Sequence, residues 1–269
     1  MTLLILGGTR DARLCAETLH TSGSDLIYSV AGLMGRPEAP FEVISGGFSS
    51  LAPEHGANSS LEGLCRFIAA QRIAAIADLT HPFAANISAT AVAAARRCAI
   101  PCWRLERPNW RPQPSDDWRE VADHDALLAA LVPFRRPFFT LGQSALRLLP
   151  RRGSHQHWLI RSAQPLPATA SAQGYTFIQA TGPFALALER QLLRNHAIDV
   201  VVTKHSGGDA TEAKLIAARE LGLPVMMLAR PLLPPATVSF SERDVFVAFC
   251  TARLAAPRSH ESKDFFHAQ

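Results

Sequence analysis

The stretch from Ile73 to Ala84 constrains the fold of this chain more than any other. An apolar run begins at Ile73, ends in the polar pair Thr80 and His81, and is followed after Pro82 by an alanine-rich segment. A short apolar run without alternation is typical of a buried strand in a parallel sheet. Pro82 suits the first turn of a following helix. This pattern predicts Thr80 and His81 at the carboxyl edge of a sheet, where open α/β proteins bind ligands.

The rest of the chain repeats this order of strand, polar turn and helix, which is typical of α/β proteins with mainly parallel sheets. We place a boundary near residue 130 and predict two doubly wound domains, 1–130 and 131–255, followed by a disordered tail over 256–269. Two such domains bring their strand ends towards a shared cleft. This favours ligand binding over the alternative, in which Thr80 caps a helix and His81 is a satisfied turn residue. Besides the run from Ile73, strands are predicted at Leu3–Leu6, Leu26–Val30, Phe41–Ser45, Pro101–Leu105, Pro137–Leu141, His157–Ile160, Tyr175–Gln179, Ile198–Val202 and Val225–Ala229.

The first predicted strand ends in a glycine turn. Gly7 and Gly8 precede Thr9 and a helix that begins near Asp11. Glycines let the backbone approach a phosphate, and a helix N-terminus supplies N–H donors, so this order is typical of the start of a dinucleotide site. Only two glycines of the Gly-x-Gly-x-x-Gly pattern are present. A plain tight turn is therefore the alternative interpretation.

The end of the second strand bears on which dinucleotide binds. NAD sites usually carry an acidic residue there for the ribose 2′-hydroxyl, whereas NADP sites carry basic or small polar groups. This chain offers Ser29 and then Arg36, with no Asp or Glu before Glu38. The pattern predicts NADPH or NADP as the cofactor. An idle loop arginine is the alternative for Arg36.

Two later loops carry the charge that a polyanionic ligand needs. Arg104, Arg107 and Trp110 lie in a loop whose guanidiniums and indole suit a flat polyanion, although the same loop can serve as a connector. Lys204 follows the strand Ile198–Val202 and precedes a Ser-Gly-Gly turn. An ammonium there can pair with a carboxylate or supply a proton. An exposed turn lysine of little consequence is the alternative.

Composition narrows the class of partner. The 269 residues carry a net charge of +4, which suits nucleic acid or an acidic small molecule. No basic run longer than a pair and no zinc-finger pattern is present, so nucleic acid is the weaker interpretation. No apolar run reaches the roughly 20 residues of a membrane span, and the N-terminus lacks the basic start of a signal peptide. The five scattered cysteines predict neither a zinc site nor a disulfide framework, which fits a reducing cytoplasm.

Several short motifs, taken in their order, resemble the precorrin-6A reductase family of cobalamin biosynthesis. The likeness covers Leu3 to Pro231. It implies two Rossmann-like domains and an NADPH-dependent reduction of one double bond in precorrin-6A, a tetrapyrrole rich in carboxylates, to give precorrin-6B. The motifs are Leu4-Ile-Leu-Gly-Gly-Thr9, Gly46-Gly-Phe48, Asp78-Leu-Thr-His-Pro-Phe-Ala84, Arg107-Pro-x-Trp110, Gly182-Pro-Phe184, Thr203-Lys-His-Ser-Gly-Gly208 and Lys214-Leu-x-Ala-Ala-Arg219.

The resemblance, together with the loop chemistry, implies three groups of site residues and no metal. Lys204 and His81 are expected to act in catalysis. The chain departs from the family's usual pattern at Asp11, at Ile44-Ser45 and at His205, where Glu, Arg and Asn are common. The expected cofactor-binding residues are Gly7, Gly8, Thr9, Arg10, Ser29, Arg36, Gly46, Gly47, Phe48 and Thr80. The expected substrate-binding residues are His81, Phe83, Arg104, Arg107, Trp110, Thr181, Gly182, Lys204, Ser206, Gly207, Gly208 and Lys214.

Two other classes of function stay open from the sequence. One is a different NADP-dependent Rossmann reductase or a nucleotide-sugar enzyme, although neither Tyr28 nor Tyr175 has the Lys four residues later that short-chain dehydrogenases use. The other is a non-catalytic sensor that binds NADP without oxidising it. The expected partners are the polycarboxylate tetrapyrrole and enzymes of neighbouring pathway steps, with no nucleic acid and no membrane.

Overall fold

A computed structural model describes residues 1–32, 38–167 and 173–255 of the chain. Within these ranges the chain forms two six-stranded sheets in which all neighbouring strands are parallel. The predicted α/β fold with two parallel, doubly wound sheets is confirmed. No helix in the described ranges is long and apolar enough to cross a membrane. Arg36 and the predicted tail over 256–269 lie outside the described residues.

The strands alternate with helices along most of the chain. In chain order the strands are β1 (Thr2–Leu6), β2 (Leu26–Val30), β3 (Glu42–Ser45), β4 (Ile73–Asp78), β5 (Cys102–Leu105), β6 (Trp118–Val121), β7 (Pro137–Phe139), β8 (Trp158–Ser162), β9 (Tyr175–Gln179), β10 (Val200–Lys204), β11 (Val225–Leu228) and β12 (Val238–Phe240). The helices are α1 (Arg10–Thr21), α2 (Ser59–Ala70), α3 (Ala85–Arg97), α4 (His124–Ala130), α5 (Ser144–Leu148), α6 (Leu186–Asn195), α7 (Ala213–Glu220) and α8 (Arg243–Ala255), with 3-10 turns at Phe48–Leu51, Pro53–Asn58, Leu149–Arg151 and Asp209–Thr211.

Both sheets share one strand arrangement. The first runs β12-β5-β4-β1-β2-β3, and the second runs β6-β11-β10-β7-β8-β9. The strand order reverses between β1 and β4 in the first sheet and between β7 and β10 in the second. Such a switch point is where doubly wound folds bind ligands, in the crevice outside the carboxyl ends of the strands.

The chain exchanges one edge strand between the two sheets. β6 precedes the predicted boundary at residue 130 but pairs with β11 of the second sheet, and β12 returns to pair with β5 of the first. α8 packs against α1 on the first sheet. β6 and α4 therefore pack with the second sheet although they lie within 1–130, and β12 and α8 pack with the first sheet although they lie within 131–255. The two strands β6 and β12 were not predicted from the sequence because they are short, partly exposed edge strands without an apolar run.

Both faces of each sheet are covered, which explains the unalternating apolar strands. In β1, Leu3 and Ile5 pack in a core with α1 and α8, whereas Leu4 and Leu6 pack in a core with α2 and α3. The second sheet has two equivalent cores, one on each face. Burial on both sides leaves the carboxyl ends of the strands as the place where polar side chains can gather.

The segment Ile73–Ala84 follows the prediction in outline and departs from it in detail. β4 ends at Asp78, and the Thr80 turn follows at the carboxyl edge of the sheet. α3 begins only at Ala85, so Pro82 lies in the turn before the helix and not in its first turn. The alternative in which Thr80 caps the helix is wrong, because its hydroxyl donates to Asp78 Oδ1 at 2.7 Å.

Candidate active site

A cleft of about 1130 Å³ lies between the carboxyl edges of the two sheets. Turns after β1, β2 and β4 line one side, and turns after β7 and β8 with the end of β10 line the other. Arg10, Arg13 and Lys204 line the cleft, and its described lining contains no carboxylate side chain. Many predicted site residues are brought together here, namely Gly7, Gly8, Thr9, Arg10, Ser29, Gly46, Gly47, Phe48, Thr80, His81, Gly182 and Lys204.

The glycine turn between β1 and α1 has the geometry of a phosphate-binding turn. Gly8 has a φ of +100° with open space on its side-chain side, and its N–H donates to the Tyr28 hydroxyl at 3.1 Å. A side chain at Gly7 would lie 2.2 Å from the Tyr28 ring. Thr9 caps α1 by accepting from the Ala12 N–H at 3.1 Å. The turn therefore needs both glycines, and the N-terminus of a twelve-residue helix points its donors toward this corner of the cleft.

The end of β2 offers no acidic partner for a ribose. Ser29 lines the cleft there, followed by Ala31 and Gly32. Ser29 is buried, and its carbonyl accepts from the Gly7 N–H at 2.8 Å. The corner could hold the adenosine end of a dinucleotide that carries a 2′-phosphate, because no described carboxylate lines it to repel that group. Arg36, the predicted phosphate partner, lies outside the described residues.

His81 is held as a neutral hydrogen-bond donor at the edge of the first sheet. Its Nδ1 accepts from the Phe83 N–H at 3.1 Å, which leaves the proton of the neutral ring on Nε2. Burial, reinforced by the positive charges of Lys204 and Arg107, lowers the pKa of His81 to about 4. At pH 7 the side chain therefore has an N–H that can donate a hydrogen bond, but no imidazolium proton to give away.

Lys204 brings an ammonium group to the same place from the second sheet. It is the last residue of β10, and its Nζ lies 5.4 Å from the centre of the Phe83 ring. No described residue forms a hydrogen bond or ion pair with Nζ. Burial lowers the pKa of Lys204 below its ordinary value. An unpaired ammonium with a depressed pKa is well suited to meet an anion or to give up a proton.

Arg107 and Trp110, which were predicted to bind substrate, lie outside the described lining of the cleft. Trp110 is only 7% exposed, and its Nε1 donates to the Gly208 carbonyl at 3.1 Å. Arg107 Nε donates to Asp11 Oδ2 at 2.5 Å. Gly207 approaches this loop so closely that a side chain there would lie 2.2 Å from the Pro108 carbonyl oxygen. The indole and the Ser206–Gly208 turn thus join the two halves, because each satisfies the other's polar groups.

Four more predicted substrate contacts lie away from the cleft lining. Arg104 is buried against Asp78, with its Nε donating to Oδ2 at 3.0 Å. Lys214 is buried beneath Trp110, and its Nζ donates to the Thr211 carbonyl at 2.5 Å. Phe83 borders the cleft only through its contacts with His81 and Lys204. Thr181 is outside the lining, although the neighbouring Gly182 is part of it.

The chain is similar to known proteins over nearly all of its length. The model of the family described as Precorrin-6x reductase CbiJ/CobK matches residues 2–251. The chain belongs to the precorrin-6x reductase family. A Precorrin-6A reductase from Rhodococcus erythropolis is 43% identical over 239 residues, covering 87% of this chain and 91% of that protein. One from Rhodobacter capsulatus is 38% identical over 234 residues, covering 86% and 89%. The resemblance predicted from the sequence is confirmed.

A solved structure supports the same assignment for the fold. The structure described as CobK precorrin-6A reductase superposes with a TM-score of 0.83 at 35% identity, covering 96% of this chain and 99% of that chain. The predicted oxidoreductase class is also confirmed, since the relatives in the precorrin-6x reductase family are named as reductases.

Sequence reasoning missed several residues that line the cleft of this family member. Tyr28 supports the glycine turn from below, and the signal was a bulky aromatic one position before Ser29, opposite two glycines. The turns at 142–144 and 162–164 line the cleft from the second sheet. Gly142 has a φ of +67° and lies between β7 and α5, so its position between a strand and a helix repeats the pattern that identified Gly8.

Proposed function

We propose that this protein reduces precorrin-6A to precorrin-6B with NADPH as the hydride donor. The observation that carries the proposal is the cleft between two parallel-sheet edges, which three cationic side chains line and no described carboxylate does. Such a lining favours two polyanions together, a dinucleotide phosphate and a polycarboxylate tetrapyrrole. The family relatives that are named Precorrin-6A reductase support the choice of macrocycle.

NADPH is the dinucleotide that the described lining favours. The glycine turn and the N-terminus of α1 suit its pyrophosphate, with Arg10 and Arg13 nearby on the same helix. Ser29 stands where an NAD site would have a carboxylate. The nicotinamide supplies a hydride to one carbon of the double bond, and NADPH becomes NADP⁺. The chain must then orient the macrocycle and deliver a proton to the neighbouring carbon.

Lys204 and His81 divide the remaining work in this proposal. His81 is neutral at pH 7 and acts as a hydrogen-bond donor that orients the substrate or the nicotinamide amide. Lys204 pairs with a substrate carboxylate or gives its Nζ proton to the carbon next to the one that receives the hydride. Its unpaired Nζ and lowered pKa support the second role as well as the first.

The direct test is incubation of the protein with precorrin-6A and NADPH. We expect loss of NADPH absorbance together with a change in the spectrum of the macrocycle, and a lower KM for NADPH than for NADH. Binding of NADPH with no oxidation by the tetrapyrrole would contradict the proposal and indicate a sensor. If NADPH is oxidised by other carbonyl or alkene substrates but not by precorrin-6A, the protein is a different reductase.

Substitutions at Lys204 separate its two candidate roles. We expect Lys204→Ala to lower kcat/KM at least about a hundredfold, the lower end for loss of a general acid, with the Kd of NADPH unchanged. Lys204→Arg keeps the charge but provides no usable proton at neutral pH. If turnover recovers in Lys204→Arg, the role of Lys204 is to pair with a substrate carboxylate. If only substrate affinity recovers, its role is to deliver a proton.

The pH profile and a matched control complete this test. If Lys204 is the acid, kcat falls as pH rises through the pKa of Lys204, with no inflection from His81 between pH 5 and 7. Arg147→Ala is the control, because Arg147 is an exposed cation of α5 outside the described lining. Wild-type turnover by Lys204→Ala at both saturating and limiting substrate would rule out both roles.

A further inference from the structure

A second cavity of about 310 Å³ adjoins the cleft at the carboxyl ends of β4, β5 and β12. The two spaces share Thr80 and His81 as lining residues, so this turn borders both of them. The volume is at the lower end of the range for small-molecule pockets, roughly 300–1000 Å³. It is therefore too small for a macrocycle and large enough for one of its side chains.

Arg104 lines this side cavity, and one nitrogen of its guanidinium lacks a hydrogen-bond acceptor in the described part of the chain. The residue is only 4% exposed. Its Nε donates to Asp78 Oδ2 at 3.0 Å and its Nη1 to the Pro234 carbonyl at 2.9 Å. Nη2 is buried and has no partner among the described residues. A buried guanidinium nitrogen without an acceptor is costly, unless a ligand or water supplies one.

Arg230 adds a positive charge to the same cavity. Its guanidinium is fixed by donation to the His205 carbonyl at 2.7 Å and the Arg107 carbonyl at 2.7 Å, with Pro108 O at 3.4 Å. No carboxylate in the described part of the chain lies within ion-pair distance of it. Backbone carbonyls thus hold the cation in place but do not neutralise its charge.

Two carboxylates also line the cavity, Asp78, which is paired with Arg104, and Glu106. The Glu106 carboxylate lies 3.7 Å from Arg104 Nη1 and accepts from the Ser239 hydroxyl at 3.4 Å. Half of the Glu106 side chain is exposed, so it can turn toward solvent. The other walls are largely apolar, formed by Pro82, Leu105 and the 231–236 segment. Apolar walls with a cationic end suit a short alkyl chain that ends in a carboxylate.

We propose that the side cavity receives one carboxylate-bearing side arm of the tetrapyrrole, with its carboxylate bound by the guanidinium groups of Arg104 and Arg230. The inference rests on the proposed function and names how the same site fixes the orientation of the substrate. An arm that passes the Thr80–His81 turn locks the rotation of the ring in the main cleft. The correct double bond is thereby held toward the nicotinamide.

Two substitutions of opposite sign test the electrostatic part of this inference. Arg230→Gln keeps an amide donor for the surrounding carbonyls but removes the charge, and it should raise the KM for precorrin-6A about tenfold. Glu106→Gln removes a competing carboxylate and should lower that KM severalfold, an effect that structural damage does not produce. The Kd of NADPH should stay unchanged in both variants. Arg111 is an exposed arginine of the loop between β5 and β6, which also contains Glu106. Arg111→Gln therefore controls for the change in net charge.

A steric pair tests whether the arm enters the cavity. Ser239 lines the cavity in β12, and Ser239→Phe should raise the KM for precorrin-6A with unchanged NADPH binding. Val238 is the neighbouring residue, points to the opposite side of the strand and is outside the cavity lining, so Val238→Phe is the matched control. An active wild type with equal KM in all these variants overturns the side-arm inference alone. A wild type that does not oxidise NADPH with precorrin-6A overturns the proposed function as well.

Discussion

Lys214 is an ammonium placed almost entirely out of water. The residue is 4% exposed, lies 4.9 Å from the centre of the Trp110 ring, and donates to the Thr211 carbonyl. Burial, helped by the positive charge of Arg161, lowers the pKa of Lys214 from 10.5 to about 7. Between pH 7 and 10.5 the unfolded chain therefore binds more protons at this site than the folded chain. Stability should rise with pH across that window and lose this dependence below it.

Replacement of Lys214 by methionine isolates this contribution. We expect Lys214→Met to increase the free energy of unfolding at pH 7 by about 1–3 kcal/mol, as for other buried charges that are replaced by apolar groups of similar volume. The rise of stability between pH 7 and 10.5 should flatten in the variant. Urea unfolding at a series of pH values measures both effects. A variant that is less stable than the wild type and keeps the same pH slope would contradict the pKa assignment.

Residue types alone did not distinguish a binding arginine, lysine or tryptophan from a structural one. Trp110 and Lys214 were predicted to contact substrate, yet both are buried against each other at the junction of the two halves. Their neighbours come from distant parts of the chain, which no local pattern reveals. Gly8, His81 and Lys204 lie at the cleft because each is at the end of a strand or within three residues of it, and strand ends share one edge. The functional roles of these residues stay predictions.

At the scale of elements, α2 controls the position of Phe48 in the cleft. A side chain at Gly63 of α2 would lie 1.8 Å from the Phe48 carbonyl oxygen, so the helix touches the 3-10 turn Phe48–Leu51 through bare backbone. We expect Gly63→Ala to cost about 1–3 kcal/mol of stability, the range for overpacking. Because the turn must move, NADPH binding should weaken too. Thermal unfolding and NADPH titration measure these effects.

An exposed position of the same helix provides the control. Ala69→Gly lowers helix propensity by up to about 1 kcal/mol without touching the turn. It should leave the Kd of NADPH unchanged. Equal losses of NADPH affinity in both variants would mean that general loosening of α2, and not displacement of Phe48, is responsible.

Elements with a buried apolar run were predictable, and edge elements were not. β2 and β9 have the predicted bounds, and β4 and β10 lie within two residues of them. These strands are covered on both faces or lie beside covered strands, so their sequences carry a continuous apolar signal. β6 has two exposed residues between two partly buried ones, and β12 has only three residues. Such strands form because the neighbouring strand has an unpaired edge, and that edge exists only once the sheet has assembled.

At the scale of the whole molecule, the exchanged strand ties the end of the chain to its beginning. β12 and α8 complete the first sheet, with Phe246 and Cys250 buried in its core beside Cys15 of α1. A chain that ends at residue 230 should lose this core and expose β5 as an open edge. We expect a lower melting temperature and aggregation on warming, because an unpaired apolar edge recruits other chains. Calorimetry and light scattering measure both.

Two comparisons show whether the missing segment itself is responsible. A peptide of residues 231–255 added in trans should restore the melting temperature in part. Val245→Ser, on the exposed face of α8, should change stability by no more than about 0.5 kcal/mol in the full chain. A shortened chain that melts as the full chain does would mean that the first sheet is stable without its sixth strand.

The strand exchange also delays completion of the first sheet while the chain is being synthesised. The Cys102 N–H donates to the Thr237 hydroxyl, a partner 135 residues further along the sequence. At a synthesis rate of roughly 5–20 residues per second, β5 leaves the ribosome about 7–27 s before the strand that covers it exists. During that interval the edge of β5 in the nascent amino-terminal half is unpaired. Chaperones or fast translation must then prevent this edge from pairing with other chains.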